Sequence, residues 1–150
     1  MNCENITITE ASANDLTDIL ALLAEVQLPP DGVGENVGAF LVARDESARL
    51  VGTIGLERHG NSGLLRSAAV APQYQGCGIG SRLTEHLLSR ATEEGVDRVV
   101  LLTTTASEFF ATRFGFCETP RTVFDKELAA SPEWNLPRCS SAVCMSRDLK

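Results

Sequence analysis

Between an apolar run, Leu64 to Ala71, and an amphipathic run, Ser81 to Glu94, stands the stretch Gln75-Gly76-Cys77-Gly78-Ile79-Gly80. A strand that ends in a glycine-rich turn and feeds directly into a helix leaves several backbone N–H groups pointing outward, at the positive end of the helix dipole. That arrangement binds phosphate. Glycines at 76, 78 and 80 remove the Cβ atoms that would keep a pyrophosphate off the backbone, and they tolerate the dihedrals of the turn. The loop therefore reads as a diphosphate cradle.

Around this loop the composition is that of one globular domain spanning residues 1–150: 43% of the chain is hydrophobic and 22% charged. A net charge of −7 without a run of Lys or Arg disfavours nucleic acid or an anionic membrane as partner, while leaving a local anion site open. The first residues carry no basic and apolar leader, and no apolar stretch approaches the ~18 residues of a membrane span, so a soluble, cytoplasmic protein is expected. Five cysteines, Cys3, Cys77, Cys117, Cys139 and Cys144, form no C-x-x-C pair. Neither a disulfide framework nor a metal site is expected from them, and the plain expectation is inert thiols.

Taken in order, Ile6 and Ile8 alternate with threonines as a half-buried strand does. Ser12 and Asp15 make a capping-box pattern, and Leu16, Ile19, Leu20, Leu23 and Val26 keep helical spacing up to Pro29-Pro30. Residues 28–38, with two prolines, three glycines and the acids Asp31 and Glu35, read as a loop with one irregular helical turn. Phe40 to Ala43 and Leu50 to Leu56 suggest a hairpin, and His59 to Gly63 a second turn before the strand Leu64 to Val70. Ile79, Leu83, Leu87 and Ala91 define a helix that stops at Gly95. A buried strand at Arg98 to Thr104, a short helix at Ser107 to Phe114 and a last strand near Ala142 to Met145 complete the reading.

A glycine-rich loop alone is weak, so its neighbours must separate the rival ligands. A Walker loop needs Lys and then Ser or Thr after the last glycine, whereas Ser81-Arg82 follows Gly80. A dinucleotide fingerprint would open the domain and place an acid at the end of the next strand, whereas three strands precede this loop and Asp97 lies before the next one. Val70-Ala71-Pro72 followed by Gln75 to Gly80 resembles instead the acetyl-CoA loop of the GCN5-related N-acetyltransferases, [Arg/Gln]-x-x-Gly-x-[Gly/Ala], and the element order is similar over nearly the whole chain.

The resemblance implies an α/β GNAT acyl-CoA N-acyltransferase fold, with a mixed, mostly antiparallel sheet flanked by helices, and acetyl-CoA as co-substrate. It implies that Gln75, Gly76, Cys77, Gly78, Ile79, Gly80 and Ser81 hold the pyrophosphate, that Ala68, Ala69 and Val70 line the pantetheine and steady the thioester carbonyl, and that Thr104 and Phe110 flank the cofactor. A homodimer through the C-terminal strands is common in the fold. Leu28 to Gly32, Leu64-Leu65-Arg66-Ser67, Leu101 to Ala106, Phe109-Phe110, Gly115-Phe116 and Ser141-Ala142-x-x-Met145 resemble more narrowly the arsenic-resistance N-acetyltransferases, although Pro137-Arg138-Cys139 departs from that pattern. That branch implies a small amino-acid-like acceptor, a glutamate analogue bearing arsenic or phosphorus.

Acetyl transfer to an amine needs a neutral amine, alignment, oxyanion stabilisation and a proton for the departing thiolate. Glu57 is the acid placed to act as base, and the backbone at Val70 the group placed to steady the oxyanion. Tyr, which the family places on the late helix as proton donor, is replaced by Ala111, and the sole tyrosine, Tyr74, is expected at the surface. Arg66 interrupts an apolar strand, and alternation puts it and Ser67 on opposite faces. It reads either as the anchor of a substrate carboxylate or arsinate, or as half of an ion pair with Glu57 or Asp31. Glu35, Asn36, Thr103 and Arg121 are further substrate candidates from the resemblance, and His59 and His86 are expected to be solvated.

Overall fold

In the computed structural model, residues 3, 5–136 and 142–149 are described. The elements are β1 (Thr7–Glu10), α1 (Leu16–Glu25), β2 (Phe40–Arg44), β3 (Leu50–His59), β4 (Ser62–Val70), α2 (Ile79–Glu93), β5 (Arg98–Thr103), α3 (Ser107–Phe114), β6 (Cys117–Glu118) and β7 (Val143–Asp148). A seven-stranded mixed sheet runs in the order β1-β2-β3-β4-β5-β7-β6. Its β4–β5 pair is parallel, and β1–β2, β2–β3, β5–β7 and β6–β7 are antiparallel. The chain divides into two compact units, Met1–Leu56 with Ser67–Ser89, and Glu57–Arg66 with Arg90–Lys150.

In the first unit the Ser12 amide donates to the Asp15 carboxylate at 2.8 Å, closing the capping pattern around a short 3-10 turn ahead of α1. Asp15 also takes the Arg44 guanidinium. Helix α1 buries Ile19, Leu22 and Leu23 and ends with Gln27 in the left-handed region, before Pro29 is reached. The loop expected at 28–38 carries a kinked 3-10 turn, Gly34–Ala39, and delivers Phe40 into β2. Phe40 is fully buried, and its ring occupies the space over Gly55 on the paired strand β3. A glycine is needed there because a Cβ would lie 2.6 Å from the ring.

The second unit gathers a core of Leu64, Val100, Phe124, Leu128, Trp134 and Cys144, with Leu102 against it. Half of that core comes from residues 120–136, where prolines obscure any period in the sequence and where the chain forms a short 3-10 helix, Arg121–Val123, and turns, with no α-helix or strand. Hydrogen bonding replaces regular structure there: Trp134 Nε1 donates to Asp125 at 3.0 Å, and the Arg121 guanidinium lies 4.6 Å over the Trp134 ring. Two boundaries also move. Strand β3 continues to His59, so the hairpin turn is only Gly60-Asn61, and β7 extends past Met145 to Asp148.

One strand departs from regular pleating. The parallel ladder of β4 runs from Ser62↔Arg98 to Leu65↔Leu101, and two residues later Ser67 has φ +57°, in the left-handed region. A left-handed residue breaks the two-residue repeat, and Arg66 and Ser67 are both buried, so the simple alternation expected of them does not hold.

Replacing Gly55 by Ala forces its Cβ against a ring that has nowhere to move. The variant is expected to lose about 1–3 kcal/mol of stability by urea unfolding; a loss below about 0.5 kcal/mol would mean that the ring repacks freely.

Candidate functional site

In the first unit, β4 ends at Val70, one 3-10 turn spans Pro72–Tyr74, and α2 begins at Ile79. Gly76 and Gly78 have φ +90° and +80°, so the turn uses the conformation that glycine alone enters at little cost. Open space lies where a Cβ on either would sit. The first amides of a helix lack an intrahelical acceptor, and α2 starts at Ile79, directly after Gly78, with the Arg82 amide closing onto the Gly78 carbonyl at 3.1 Å. An anion fits this cradle in both shape and sign.

The cradle is braced from below. Gln75 turns its side chain back, Nε2 donating to the Val70 carbonyl at 3.2 Å. Cys77 N–H donates to the Tyr74 carbonyl at 3.3 Å, so this amide supports the turn and is not offered to a ligand. Tyr74, expected at the surface, is 8% exposed, and its hydroxyl donates to Asp45 at 2.8 Å. The partner of its hydroxyl lies 29 residues upstream, which spacing in the sequence does not reveal. That hydrogen bond to Asp45 raises the Tyr74 phenol above its ordinary pKa, the opposite of what a proton donor near neutrality needs. Cys77 is also joined by a disulfide to Cys3, a pairing across 74 residues that corrects the expectation of inert thiols. No local spacing announces such a pair, since only the fold brings its ends together.

In the second unit Glu57, Arg66, His59 and Ser131 form one polar cluster. Arg66 Nη1 donates to Glu57 Oε2 at 2.7 Å, and His59 Nε2 lies 3.0 Å from Glu57 Oε1. The Ser131 hydroxyl also bonds Glu57. Both members of the ion pair are buried, at 4% exposure for Glu57 and 2% for Arg66. Of the two readings of Arg66 in the sequence, the ion pair with Glu57 is the one the structure contains. Burial pushes the Glu57 carboxyl up, but the bonds from Arg66, His59 and Ser131 together hold it below its ordinary value. A carboxylate held ionised is a weak base, so Glu57 is better suited to orient its partners than to take a proton. His59 was missed in the sequence because it was assigned to a turn. The Glu57-x-His59 spacing on one strand face was the available signal.

The remaining candidates fall separately. In the first unit Ala68 is exposed and Ala69 buried beside Val70, while Glu35 is exposed and Asn36 Nδ2 bonds the Gly32 carbonyl at 2.8 Å. In the second unit Thr103 Oγ1 accepts the amides of Thr105 and Ala106 ahead of α3, and Thr104 is exposed. Phe110 is buried against Phe109 and Phe116, and Arg121 donates to the Trp134 carbonyl. Ser81 stands in the first turn of α2. Cys144 is buried, which pushes its thiol up to about 11, while Cys139 lies outside the described residues. Among the described residues no group of three or more His, Cys, Asp or Glu is placed to hold a metal. No described helix is long and apolar enough to cross a membrane.

The fold and the cradle together define the acyl-CoA N-acyltransferase class. The acetyltransferase (GNAT) domain model matches residues 36–118, more than half of the chain, and the chain belongs to that family. A sequence search of the curated proteins found no match. Among solved structures, the Mycobacterium tuberculosis protein Rv2747, in complex with CoA, is 26% identical at a TM-score of 0.79, over 96% of this chain and 99% of that one. A GNAT-family acetyltransferase from Staphylococcus aureus is 20% identical at a TM-score of 0.79, over 97% and 99%. N-acetylglutamate synthase from Neisseria gonorrhoeae, complexed with CoA and L-arginine, is 24% identical at a TM-score of 0.76. That match covers 97% of this chain but 33% of the synthase, so the chain spans about a third of its length.

Two measurements test the buried cluster. Removing one partner of a buried ion pair costs about 3–5 kcal/mol, so Glu57→Ala and Arg66→Ala should each be severely destabilising. The double variant should lose at least about 1.5 kcal/mol less than their sum, and additive losses would mean that the pair is uncoupled. For pH, a carboxyl held low in the folded state contributes stability that is present above its unfolded value, near 4.5, and is lost as pH falls through the folded value. Urea midpoints should therefore drop below about pH 4.5, and less so in Glu57→Gln.

Proposed function

We propose that the 150 residues work as one acetyl-CoA-dependent N-acetyltransferase domain acting on the amino group of a small amino-acid-like substrate. The observation that carries the reading is the cradle, with Gly76 and Gly78 at positive φ ahead of α2, in a chain whose family is defined by acetyl transfer. The family match runs through segments of both units, which supports a single working domain. A site for acetyl-CoA also supports a cytoplasmic protein, since the co-substrate is made there.

When bound, acetyl-CoA supplies an activated acetyl thioester. In this reading the backbone amides around Gly76, Gly78 and the start of α2 hold its pyrophosphate. The backbone of Ala68, Ala69 and Val70 lines the pantetheine, and Val70 N–H steadies the oxyanion. Glu57 fixes His59 by accepting from Nε2, which leaves Nδ1 able to receive the proton of the incoming ammonium. Arg66, paired with Glu57 and buried, keeps that carboxylate ionised and in place for His59. With Ala111 where a tyrosine would stand and with Tyr74 engaged by Asp45, the departing thiolate takes its proton from water or from the amine. A thiol with a pKa of about 8.5 is a tolerable leaving group on those terms.

For the acceptor, we favour a glutamate-like amino acid. The sequence resemblance to the arsenic-resistance branch supports an arsinic or phosphinic analogue, and a structural neighbour is a synthase complexed with N-acetyl-glutamate. An ordinary amino acid or amine is the second reading. A weakly catalytic acyl-CoA-binding module is the third, favoured by Ala111.

Purified protein with acetyl-CoA and a panel of amino acids, followed by free-thiol release, separates the three. Release confined to glutamate-like acceptors is expected, release with unrelated amines points to the second reading, and CoA binding without release points to the third. His59→Gln should lower kcat/KM about 100-fold while leaving CoA binding unchanged. An unchanged kcat/KM would exclude His59 as the base.

A further inference from the structure

Cys77 lies between the two glycines with positive φ, at the centre of the cradle, and its sulfur is bonded to that of Cys3. A second tie joins the same two places: Arg82, in the first turn of α2, donates from Nη2 to the Ile6 carbonyl at 3.2 Å. Residues 3 and 6 are thus fastened to the centre of the loop that faces the ligand and to the helix that follows it. Cys3 is exposed and Cys77 half-buried, so reagents reach the pair. Disulfides are uncommon in reducing compartments, and those that occur there are mostly reversible.

We propose that Cys3 and Cys77 form a thiol–disulfide exchange site for low-molecular-weight disulfides of the glutathione type, and that its oxidised state raises affinity for acetyl-CoA. The inference rests on the reading of the loop as the CoA pyrophosphate site. The exposed Cys3 thiolate attacks one sulfur of the small disulfide and expels a thiolate. Cys77 thiolate then attacks Sγ of Cys3, forming the Cys3–Cys77 bond and expelling the second thiolate. The two cysteines lose two electrons to the small disulfide, and their two protons pass to the released thiols.

Affinity follows from the order of the loop before the ligand arrives. Glycine loses more backbone freedom on ordering than any other residue, and Gly76 and Gly78 flank the bridged cysteine. Bridging Cys77 holds both glycines near the dihedrals that leave their amides outward, so less freedom remains to be lost on binding. Reduction frees the loop without removing any group that touches the phosphates.

The test uses the full chain equilibrated either in a glutathione disulfide buffer or in a phosphine reductant. Non-reducing peptide mapping by mass spectrometry locates the bridge, and calorimetric titration with desulfo-CoA, which has no thiol to exchange, gives Kd. The bridge should form between Cys3 and Cys77, and Kd should rise about three- to tenfold on reduction. Cys3→Ser should bind with the weaker value in both buffers, and Cys117→Ser should respond as the unaltered chain does. A bridge elsewhere, or a Kd that reduction leaves equal or lowers, overturns the proposal. Absence of desulfo-CoA binding in both states would instead overturn the CoA-site reading, and the inference with it.

Discussion

Backbone amides can hold an anion only if the chain keeps them turned outward, and that requirement governs the junction between β4 and α2. Left-handed dihedrals at Gly76 and Gly78 set the direction of the turn, and every neighbouring bond resists its relaxation. Gln75 closes back onto Val70, Tyr74 reaches Asp45 in the β2–β3 turn, and Asp45 also accepts the amides of Ser47 and Arg49. The same aspartate therefore shapes one turn and anchors the next. These residues contribute by fixing geometry, and the ligand-facing surface itself is bare backbone.

The second unit applies an opposite economy, with charge buried and fully matched. Arg66 and Glu57 would each be costly alone in an apolar interior, and together with His59 and Ser131 they form a satisfied network. The arrangement adds His59 and Ser131 to the Arg66–Glu57 pair that the sequence had offered as one of two readings. A carboxylate with three donors around it keeps its charge, which suits it to hold an imidazole and a guanidinium in place.

What could be read from the sequence was what repeats or what only one residue type permits. Helix α2 followed from Ile79, Leu83, Leu87 and Ala91, and its end at Gly95 is a left-handed stop with φ +79°. The hairpin of β2 and β3 followed from two apolar runs and a polar turn. Burial of Tyr74, the left-handed Ser67, the Cys3–Cys77 bridge and the Trp134 core all depend on residues far apart in sequence, and no local pattern encodes them. In the candidate site the cradle was legible because its glycines are adjacent. The polar cluster was only half legible, because Ser131 joins it from 74 positions beyond Glu57, 131 minus 57.

The chain carries a net charge of −7, yet its best-formed ligand surface suits a polyanion. Dipoles of neutral peptide groups reconcile the two facts, because they neither titrate nor gather a counter-ion cloud that binding would have to release. A cradle of this kind grips at short range only, while the surrounding acidic field slows the approach of anions in general. Discrimination among the phosphates of a crowded cell then falls to close fit alone, since attraction at a distance favours none of them.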